Sequence, residues 1–388
     1  MKAHSLLCST ILGAGVCIAA AESASRPADR RPSNQSANNL YRTPNDVHRL
    51  ITEVFPDICP PARKAGLATA TRKTSPRRQF TSPPIQTEFP FNDLCPSWNI
   101  DVPEGSGFYV EVRVGRRAGD LWTPFYYLGG CGKFPAPEKR ILKDENGYIN
   151  CDYFQSSNAF DRIQYRITFF ADDPSRPAVL RRFSLAYSNT LNDPAIAAKH
   201  RRAVDPGPKD KWTRRLPVPF RSQNWESDAL RGHICSPTSL SMVLEYWGVK
   251  RPTVEVCERV YDADNHMYGN WWRAVQAAWT YGVPGYLERF GDWNAVKRHI
   301  AEGRPIIAST RTEKGQLRHA PNYESPAGHL IVITGFDADG YVLINDPAKR
   351  KPEDGMCKYH PEDMEKIWFD RGGLGYVLLG PPGGAAVR

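Results

Sequence analysis

The sequence predicts two folded regions, an antiparallel β-sandwich followed by an α+β domain. Residues 85–190 alternate between apolar and polar side chains with a period of two, which is typical of half-buried strands. Residues 213–380 begin with apolar residues at helical spacing and continue with short apolar strands. A chain of 388 residues is long enough for two or three domains.

The first 21 residues are predicted to be a secretory signal peptide. Lys2 precedes an apolar run from Leu6 to Ala21, and the three alanines at its end suit a cleavage site. The run is short for a membrane span, and no later segment is long and apolar enough for one. We therefore expect an extracytoplasmic protein, secreted or periplasmic, that does not span a membrane.

Residues 22–84 are predicted to be a largely disordered basic segment. They are rich in Ser, Pro, Arg and Asn, a composition that buries little surface, although "DVHRLITEVF" within them has an amphipathic pattern. The formal net charge of the chain is +9, and basic residues are concentrated here and in residues 199–215. Such segments favour anionic contacts. No basic motif interleaved with aromatic residues is present, so nucleic acid is not an expected partner.

The predicted β-sandwich spans residues 85–190 and has no catalytic cluster. "FYVEVRV" places Phe108, Val110, Val112 and Val114 on one face of a strand, and "RIQYRITFF" and "RRFSLAY" repeat the alternation. The aromatic residues of "LWTPFYYLGG" either fill the core or form a platform for a cell-surface polymer or glycan. Residues 191–212 are predicted to be a linker.

Three helices open the predicted α+β domain of residues 213–380. They lie in "SPTSLSMVLEYWG", "NWWRAVQAAWTYG" and "DWNAVKRHIAEG", and each ends at a glycine, Gly248, Gly282 or Gly303. Strands are predicted in "GYLERF", "PIIAST", "HLIVITGF", "YVLIND" and "GYVLLG". Residues 381–388 are expected to be a flexible tail.

Cys235 lies where the first of these helices is predicted to begin. Pro237 suits the first turn of a helix, which places Cys235 at or beside the helix N-terminus. Unpaired backbone N–H groups and the helix dipole both favour a thiolate there. Taken alone, Cys235 is also compatible with a buried or disulfide-bonded structural cysteine.

A predicted hairpin brings a histidine close to a carboxylate. Two apolar strands flank "DADG", and a turn centred on Ala338 and Asp339 pairs Ile331 with Asp346. His329 then lies on the same face as Ile331 and is a diagonal neighbour of Asp346, about 7 Å away. This pair suits an imidazole that a carboxylate holds in one orientation. Asn345 points to the opposite face in this register.

The C-terminal two fifths of the chain resemble a peptidase family. The stretches "VPFRSQ", "CSPTSLSMVLEYWG", "AEGRPIIAST", "GHLIVITGFDADG" and "VLINDPA" are similar to papain-like cysteine peptidases of family 39, the bacteriocin-leader-processing type, and to their secreted relatives. The resemblance implies a papain-like fold for residues 213–380. It also implies Cys235 as the nucleophile, His329 as the base, Asp346 as the residue that orients it, and Gln223 in the oxyanion hole.

The sequence departs from this family in two respects. Ser236 stands where relatives usually have glycine, which we expect to narrow the entrance to the site. The chain also lacks the transporter spans of the leader-processing enzymes, which argues against a double-glycine leader as the substrate.

The cysteine count supports one free thiol. Seven cysteines remain after the predicted cleavage, and an exported protein tends to oxidise all but the nucleophile. Possible bridges are Cys131–Cys151, Cys257–Cys357 and Cys59–Cys95. No cofactor or metal is predicted, because "CKYH" at 357–360 has two potential ligands without a second pair.

These observations together predict an exported thiol hydrolase that cleaves a peptide or isopeptide bond in a peptide or protein substrate. Two alternatives stay open. One is a surface-binding or scaffold protein without catalysis, and the other is a cell-wall amidase or acyltransferase that uses the same residues. Nothing in the sequence fixes the oligomeric state.

Overall fold

The computed structural model describes residues 43–58 and 77–381, which lie in one compact unit. The predicted signal peptide and residues 382–388 of the predicted tail lie outside the described residues. The N-terminal region is rich in antiparallel β-strands, as its periodicity predicts, and the C-terminal region is α+β, as its order of elements predicts. The sheet of the C-terminal region is antiparallel as well.

The N-terminal region consists of nine strands within the described residues. The alternating segments are strands, and Phe108, Val110, Val112 and Val114 are fully buried on the inner face of β4. The strands are β1 (Val47–Ile58), β2 (Arg77–Thr81), β3 (Ile85–Asp101), β4 (Ser106–Arg116), β5 (Leu121–Trp122), β6 (Tyr126–Gly132), β7 (Tyr148–Asn150), β8 (Tyr153–Ala171) and β9 (Val179–Asn189).

The arrangement of these strands differs from a sandwich of two separate sheets. They join in one hydrogen-bonded sheet with the order β1-β9-β3-β8-β4-β5, to which β2, β6 and β7 are added at the side. The 19-residue strand β8 pairs with β3 and β7 in its first half and with β2 and β4 in its second half. Irregularities in the β3–β8 register allow this change of partners.

Two parts of the segment predicted to be disordered are strands. Strand β1 pairs with β9 along most of its length, and β2 pairs with the second half of β8. Leu50, Ile51 and Phe55 of β1 and Phe80 of β2 pack against the core. A few apolar residues are sufficient to hold β1 and β2 in the sheet, because the neighbouring strands supply their backbone hydrogen-bond partners. Residues 59–76 lie outside the described residues.

The C-terminal region contains the three predicted helices and the five predicted strands. Its elements are α1 (Pro194–His200), α2 (Lys209–Trp212), α3 (Cys235–Tyr246), α4 (Thr253–Val260), α5 (Trp271–Thr280), β10 (Gly285–Arg289), α6 (Trp293–Ala301), β11 (Ile306–Thr312), β12 (Ser325–Phe336), β13 (Val342–Asn345), α7 (Pro352–Gly355), β14 (Met356–Tyr359), α8 (Pro361–Ile367) and β15 (Leu374–Leu378). The six strands form a sheet in the order β10-β15-β11-β12-β13-β14.

The segment predicted to be a linker contains two short helices. In α1, the Asp193 side chain accepts hydrogen bonds from Ala195 N and Ile196 N, so the helix starts with a capped N-terminus. Trp212 of α2 packs edge-on against Phe336 of β12. The Trp212–Phe336 contact attaches the segment to the C-terminal region, and an ion pair between Arg202 and Glu88 of β3, 2.9 Å long, attaches it to the N-terminal sheet.

Helix α5 joins the two regions through a shared core. The ring centroids of Trp272 and Trp98 of β3 lie 4.6 Å apart with the rings tilted by 32°, and the Gln276 amide exchanges hydrogen bonds with both backbone groups of Ile100. A buried ion pair between Arg289 of β10 and Asp93 of β3 lies at the same interface, with nitrogen–oxygen distances of 2.7 and 3.0 Å. The α+β region is therefore anchored on the N-terminal sheet.

Candidate active site

Helix α3 begins at Cys235, where the sequence predicts a helix start. Its cap residue Ile234 provides no side-chain hydrogen bond, so the first N–H groups of the helix are available to other acceptors. Ten of its twelve residues are buried, and its terminating glycine, Gly248, has a φ of +82°. The helix packs against β12, and Ser239 Oγ donates a hydrogen bond to Leu330 O. This packing holds the half-buried Cys235 beside the strand that carries His329.

The hairpin of β12 and β13 brings His329 and Asp346 together. Val332 pairs with Asn345 and Ile333 with Ile344, which is the predicted register at this end, and an irregularity follows nearer the turn. His329 Nε2 lies 2.7 Å from Asp346 Oδ1, and both side chains are buried. Because Nε2 is engaged by the carboxylate, Nδ1 is the ring nitrogen left to exchange a proton with a thiol.

The thiol and the imidazole shift each other's pKa in opposite directions. Burial raises the pKa of Cys235, but a hydrogen bond to His329, the charge of that ring and backbone hydrogen bonds from Leu330 and Ser236 bring it below its usual value. Burial lowers the pKa of His329, but the charge and hydrogen bond of Asp346, together with Cys235, raise it well above its usual value. Both shifts favour a thiolate–imidazolium pair.

Asp346 is held as a carboxylate by its surroundings. Burial raises its pKa, but the charge and hydrogen bond of His329 and the Ala348 N–H outweigh this and lower it. Ala348 N donates to Asp346 Oδ1 at 2.9 Å, and the Tyr359 hydroxyl lies 3.3 Å from Oδ2. Both carboxylate oxygens thus have partners that hold the Asp346 carboxylate in place. The carboxylate in turn orients the His329 ring through its hydrogen bond to Nε2.

Gln223 is placed between the loop before Cys235 and the loop after Asp346. It opens a short 3₁₀ helix, Gln223–Trp225. Its backbone N–H donates to Pro347 O at 2.9 Å, and its side-chain Nε2 donates to Arg231 O at 2.7 Å. A primary amide has two N–H groups, so one remains for a further acceptor. Gln223 is therefore fixed between the residue that follows Asp346 and Arg231, four residues before the candidate nucleophile.

Ser236 does not narrow the entrance to the site as expected. Its side chain is fully buried, and its hydroxyl lies 3.3 Å from the hydroxyl of Tyr376 on β15. The Ser236 side chain therefore lies on the packed side of α3. The substitution for glycine is accommodated in the core.

None of the cysteines in the described residues forms a disulfide. Cys95, Cys131, Cys151, Cys235, Cys257 and Cys357 are all free thiols, so the predicted Cys131–Cys151 and Cys257–Cys357 bridges are not formed. Cys59 lies outside the described residues. Cys95 is sealed in the core, whereas Cys131 Sγ lies 4.0 Å from an Arg273 nitrogen and Cys151 Sγ lies 3.5 Å from Met267 Sδ. Cysteine counting gives no information on such distances.

Two residues beside the site were not singled out from the sequence. Tyr359 belongs to "CKYH", and its contact with Asp346 depends on the pairing of β14 with β13. Trp225 follows Gln223 in the chain, and its side chain is exposed although its indole N–H is bonded to Arg350 O. Its place two residues after the stretch "VPFRSQ" was an available signal. Within the described residues, no group of three or more His, Cys, Asp or Glu is arranged to hold a metal.

Two family models match the chain. Residues 215–376 match the Peptidase_C39 like family and include all four candidate residues, and residues 62–188 match the Peptidase C39 N-terminal domain. The resemblance stated from the motifs is confirmed. The match supports a cysteine peptidase at the level of class. No curated protein matches the chain.

In the described part of the chain, no helix is both long and apolar enough to cross a bilayer.

Proposed function

We propose that the protein is an exported thiol hydrolase that cleaves a peptide or isopeptide bond through an acyl-enzyme on Cys235, in a papain-like C-terminal domain. The observation that carries the proposal is the buried His329–Asp346 pair, 2.7 Å apart, which raises the pKa of the imidazole and thereby lowers that of the thiol. Export is proposed from residues 1–21 alone.

The first half of the reaction forms a thioester. The Cys235 thiolate attacks the carbonyl carbon of the scissile bond, and the carbonyl oxygen becomes an oxyanion. The backbone N–H of Cys235, at the start of α3, and the remaining amide N–H of Gln223 donate hydrogen bonds to this oxyanion. The His329 imidazolium then gives its proton to the leaving amine as the carbon–nitrogen bond breaks.

The second half of the reaction releases the acid. His329, now neutral, takes a proton from water, and the resulting hydroxide attacks the thioester carbonyl. The carbon–sulfur bond breaks, and the Cys235 thiolate is regenerated beside the imidazolium. Asp346 stays ionised throughout and stabilises the imidazolium each time it forms.

An unbiased cleavage profile tests this proposal. The purified chain is incubated with a peptide library and with cell-wall fragments, and new amino and carboxyl termini are read by mass spectrometry. We expect cleavage by the parent chain, none by Cys235→Ala, and unchanged cleavage by the matched variant Cys131→Ala. Cleavage of wall fragments alone favours the amidase, transfer to an added amine favours the acyltransferase, and equal products from Cys235→Ala reject the Cys235 acyl-enzyme.

The N-terminal region has one feature that favours a separate, anionic ligand. On the outer face of β4, the Arg113 guanidinium lies 4.5 Å from the Trp122 ring centroid and 4.8 Å from that of Phe125. Arg162 and Arg166 cover these rings as well, at 4.2 and 3.9 Å, so the rings present little free surface to a sugar. We infer that a surface polymer bound here carries phosphate or carboxylate groups.

The affinity of the full chain for inorganic polyphosphate, measured by titration, tests this second proposal. Arg166 is paired with Glu111 and Arg162 with Asp120, whereas Arg113 donates through Nε to the neutral Gln164. Arg113→Met is expected to weaken the binding of polyphosphate to the full chain at least about fivefold. Of the three arginines over these rings, Arg113 is the one whose charge no carboxylate compensates. Arg117→Met, which alters an arginine paired with Asp161, is the matched control. Equal affinities for both variants would exclude this face.

A further inference from the structure

We infer that Trp225 is a substrate-binding residue, whose indole face receives an apolar side chain of a bound peptide next to the proposed reaction site. The inference rests on the proposed function and specifies which substrates that site accepts. It depends on the exposure of this residue, on the fixed position of its ring and on its connection to Gln223 and Asp346.

Trp225 is the exception among the ten tryptophans of the chain. It is 58% exposed, whereas the other nine, all within the described residues, are buried or half-buried. An indole in water forgoes the free energy gained by burying a large apolar surface. Exposed tryptophan is accordingly enriched where a protein contacts a ligand or partner.

The ring of Trp225 is nevertheless held in one place. Its Nε1 donates to Arg350 O at 2.9 Å, and its edge packs against the ring of Phe220 at a centroid distance of 5.8 Å and an angle of 84°. Phe220 in turn lies over Gly355, where an added Cβ would be 2.0 Å from the Phe220 ring. A fixed, exposed ring binds a partner with little loss of side-chain entropy.

The position of the ring follows from the segments that flank the site. Trp225 shares the Gln223–Trp225 turn with the proposed oxyanion donor. Asn224 Nδ2 donates to Ala348 O at 2.7 Å, and Gln223 N donates to Pro347 O at 2.9 Å. The turn is thus joined, residue by residue, to the segment that directly follows Asp346. Because Trp225 is two residues from Gln223 in this fixed turn, we expect a peptide whose carbonyl oxygen meets the Gln223 amide to pass within reach of the Trp225 ring.

Charges around the ring do not select strongly for one sign. Arg350, whose carbonyl oxygen accepts from the indole, is flanked in the chain by Lys349 and Lys351, and Glu353 and Asp354 follow them in α7. Arg231 is paired with Asp228. With the charges nearly balanced, the exposed apolar surface of the indole is the feature that discriminates among peptides. We therefore assign an aromatic or large aliphatic side chain to this position of the substrate.

Peptide binding to the Cys235→Ala chain tests the inference without requiring turnover. An array of peptides that differ at one position is probed with this chain and with the same chain carrying Trp225→Ala, Trp225→Phe or Leu121→Ala. Leu121 is also 58% exposed and lies in β5, so it is a matched control for the loss of exposed apolar surface. We expect preferred peptides with apolar side chains, at least about tenfold weaker binding for Trp225→Ala, and near-parent binding for Trp225→Phe and Leu121→Ala.

Two results would overturn the inference. One is equal binding by the Trp225→Ala and parent chains, and the other is the lack of any peptide that prefers an apolar residue. Should Trp225→Ala fold poorly, oxidative footprinting of the Cys235→Ala chain replaces it, and bound peptide must protect the Trp225 indole. Apolar-peptide binding combined with no cleavage by the chain with intact Cys235 would reject the proposed hydrolysis and leave the Trp225 assignment standing.

Discussion

The two regions of the molecule contain similar reactive groups in different surroundings. No imidazole contacts the N-terminal thiols Cys95 and Cys131 among the described residues. Burial raises the pKa of Cys95 well above its usual value and that of Cys131 to about 11, and the nearby charges of Arg289 and Arg273 do not offset it. In the C-terminal region, burial likewise raises the pKa of Cys257 and Cys357 to about 12. Among the described cysteines, Cys235 is the one whose pKa is lowered. Burial alone therefore does not activate a thiol; contact with an imidazolium does.

Three histidine–carboxylate pairs likewise differ in whether a thiol contacts the imidazole. His200 lies 3.3 Å from Glu88, and His299 lies 3.1 Å from Glu288. Both pairs stabilise local structure, and the described residues place no cysteine in hydrogen-bonding contact with either ring. The His329–Asp346 pair is the one that meets a thiol. What distinguishes the candidate active site is the convergence of α3 with the β12–β13 hairpin, rather than any of its residue types.

The largest expected effect comes from breaking the pair that meets the thiol. His329→Ala should reduce kcat/KM for peptide hydrolysis about 10⁴-fold or more, because it removes the proton acceptor and donor of both half-reactions. His299→Gln alters a comparable pair away from the thiol and should leave kcat/KM of the folded protein unchanged. Steady-state kinetics on a cleaved library peptide measure both variants. A similar loss in the two would show that the effect is structural.

A smaller effect is expected at the interface between the regions. Asp93→Ala leaves the Arg289 guanidinium buried without a carboxylate and should lower the free energy of unfolding by about 3–5 kcal/mol. Asp172→Ala removes an exposed partner of Lys133 and should change it by less than about 1 kcal/mol. Urea denaturation of the full chain measures both. Equal losses would mean that the Asp93–Arg289 pair does not anchor the α+β region.

The smallest of these effects is expected from neutralising the carboxylate. Asp346→Asn keeps the shape but removes the charge that raises the pKa of His329, so that pKa should fall. With less imidazolium at neutral pH, the rate of Cys235 alkylation should fall about 10- to 100-fold. Alkylation rates at several pH values, fitted for both proteins, check this. An unchanged profile would mean that Asp346 does not control the ionisation of the thiol.

The sequence predicted the parts of the site that depend on local periodicity. A helix start at Cys235 follows from Pro237 and the apolar spacing after it, and the hairpin register makes His329 a diagonal neighbour of Asp346 without tertiary information. The contact of Tyr359 with Asp346 was not predictable, because β14 is a short edge strand with no clear alternation. Strand β1 was missed because its stability comes from pairing with β9, whose partner residues lie 122 to 142 positions further along the chain.

The disulfide prediction failed for a related reason. It rested on the number of cysteines and on the expected compartment, and neither describes which thiols approach each other. The structure buries Cys95 and Cys257 and places Cys131 and Cys151 beside other side chains, Arg273 and Met267. Long-range packing decides such contacts, whereas the His329–Asp346 pair is only 17 residues apart in one hairpin.

Competitive alkylation of the native protein tests the central claim most directly. The folded chain is exposed to limiting iodoacetamide at pH 6 to 9, and the modification of each cysteine is counted by mass spectrometry after quenching. We predict that Cys235 is modified first at neutral pH, at least about tenfold faster than Cys131 or Cys357, because its pKa is lowered and theirs are raised. The His329→Ala chain should lose this advantage. If Cys235 reacts no faster than Cys131, or reacts equally fast without His329, the thiolate–imidazolium account is contradicted.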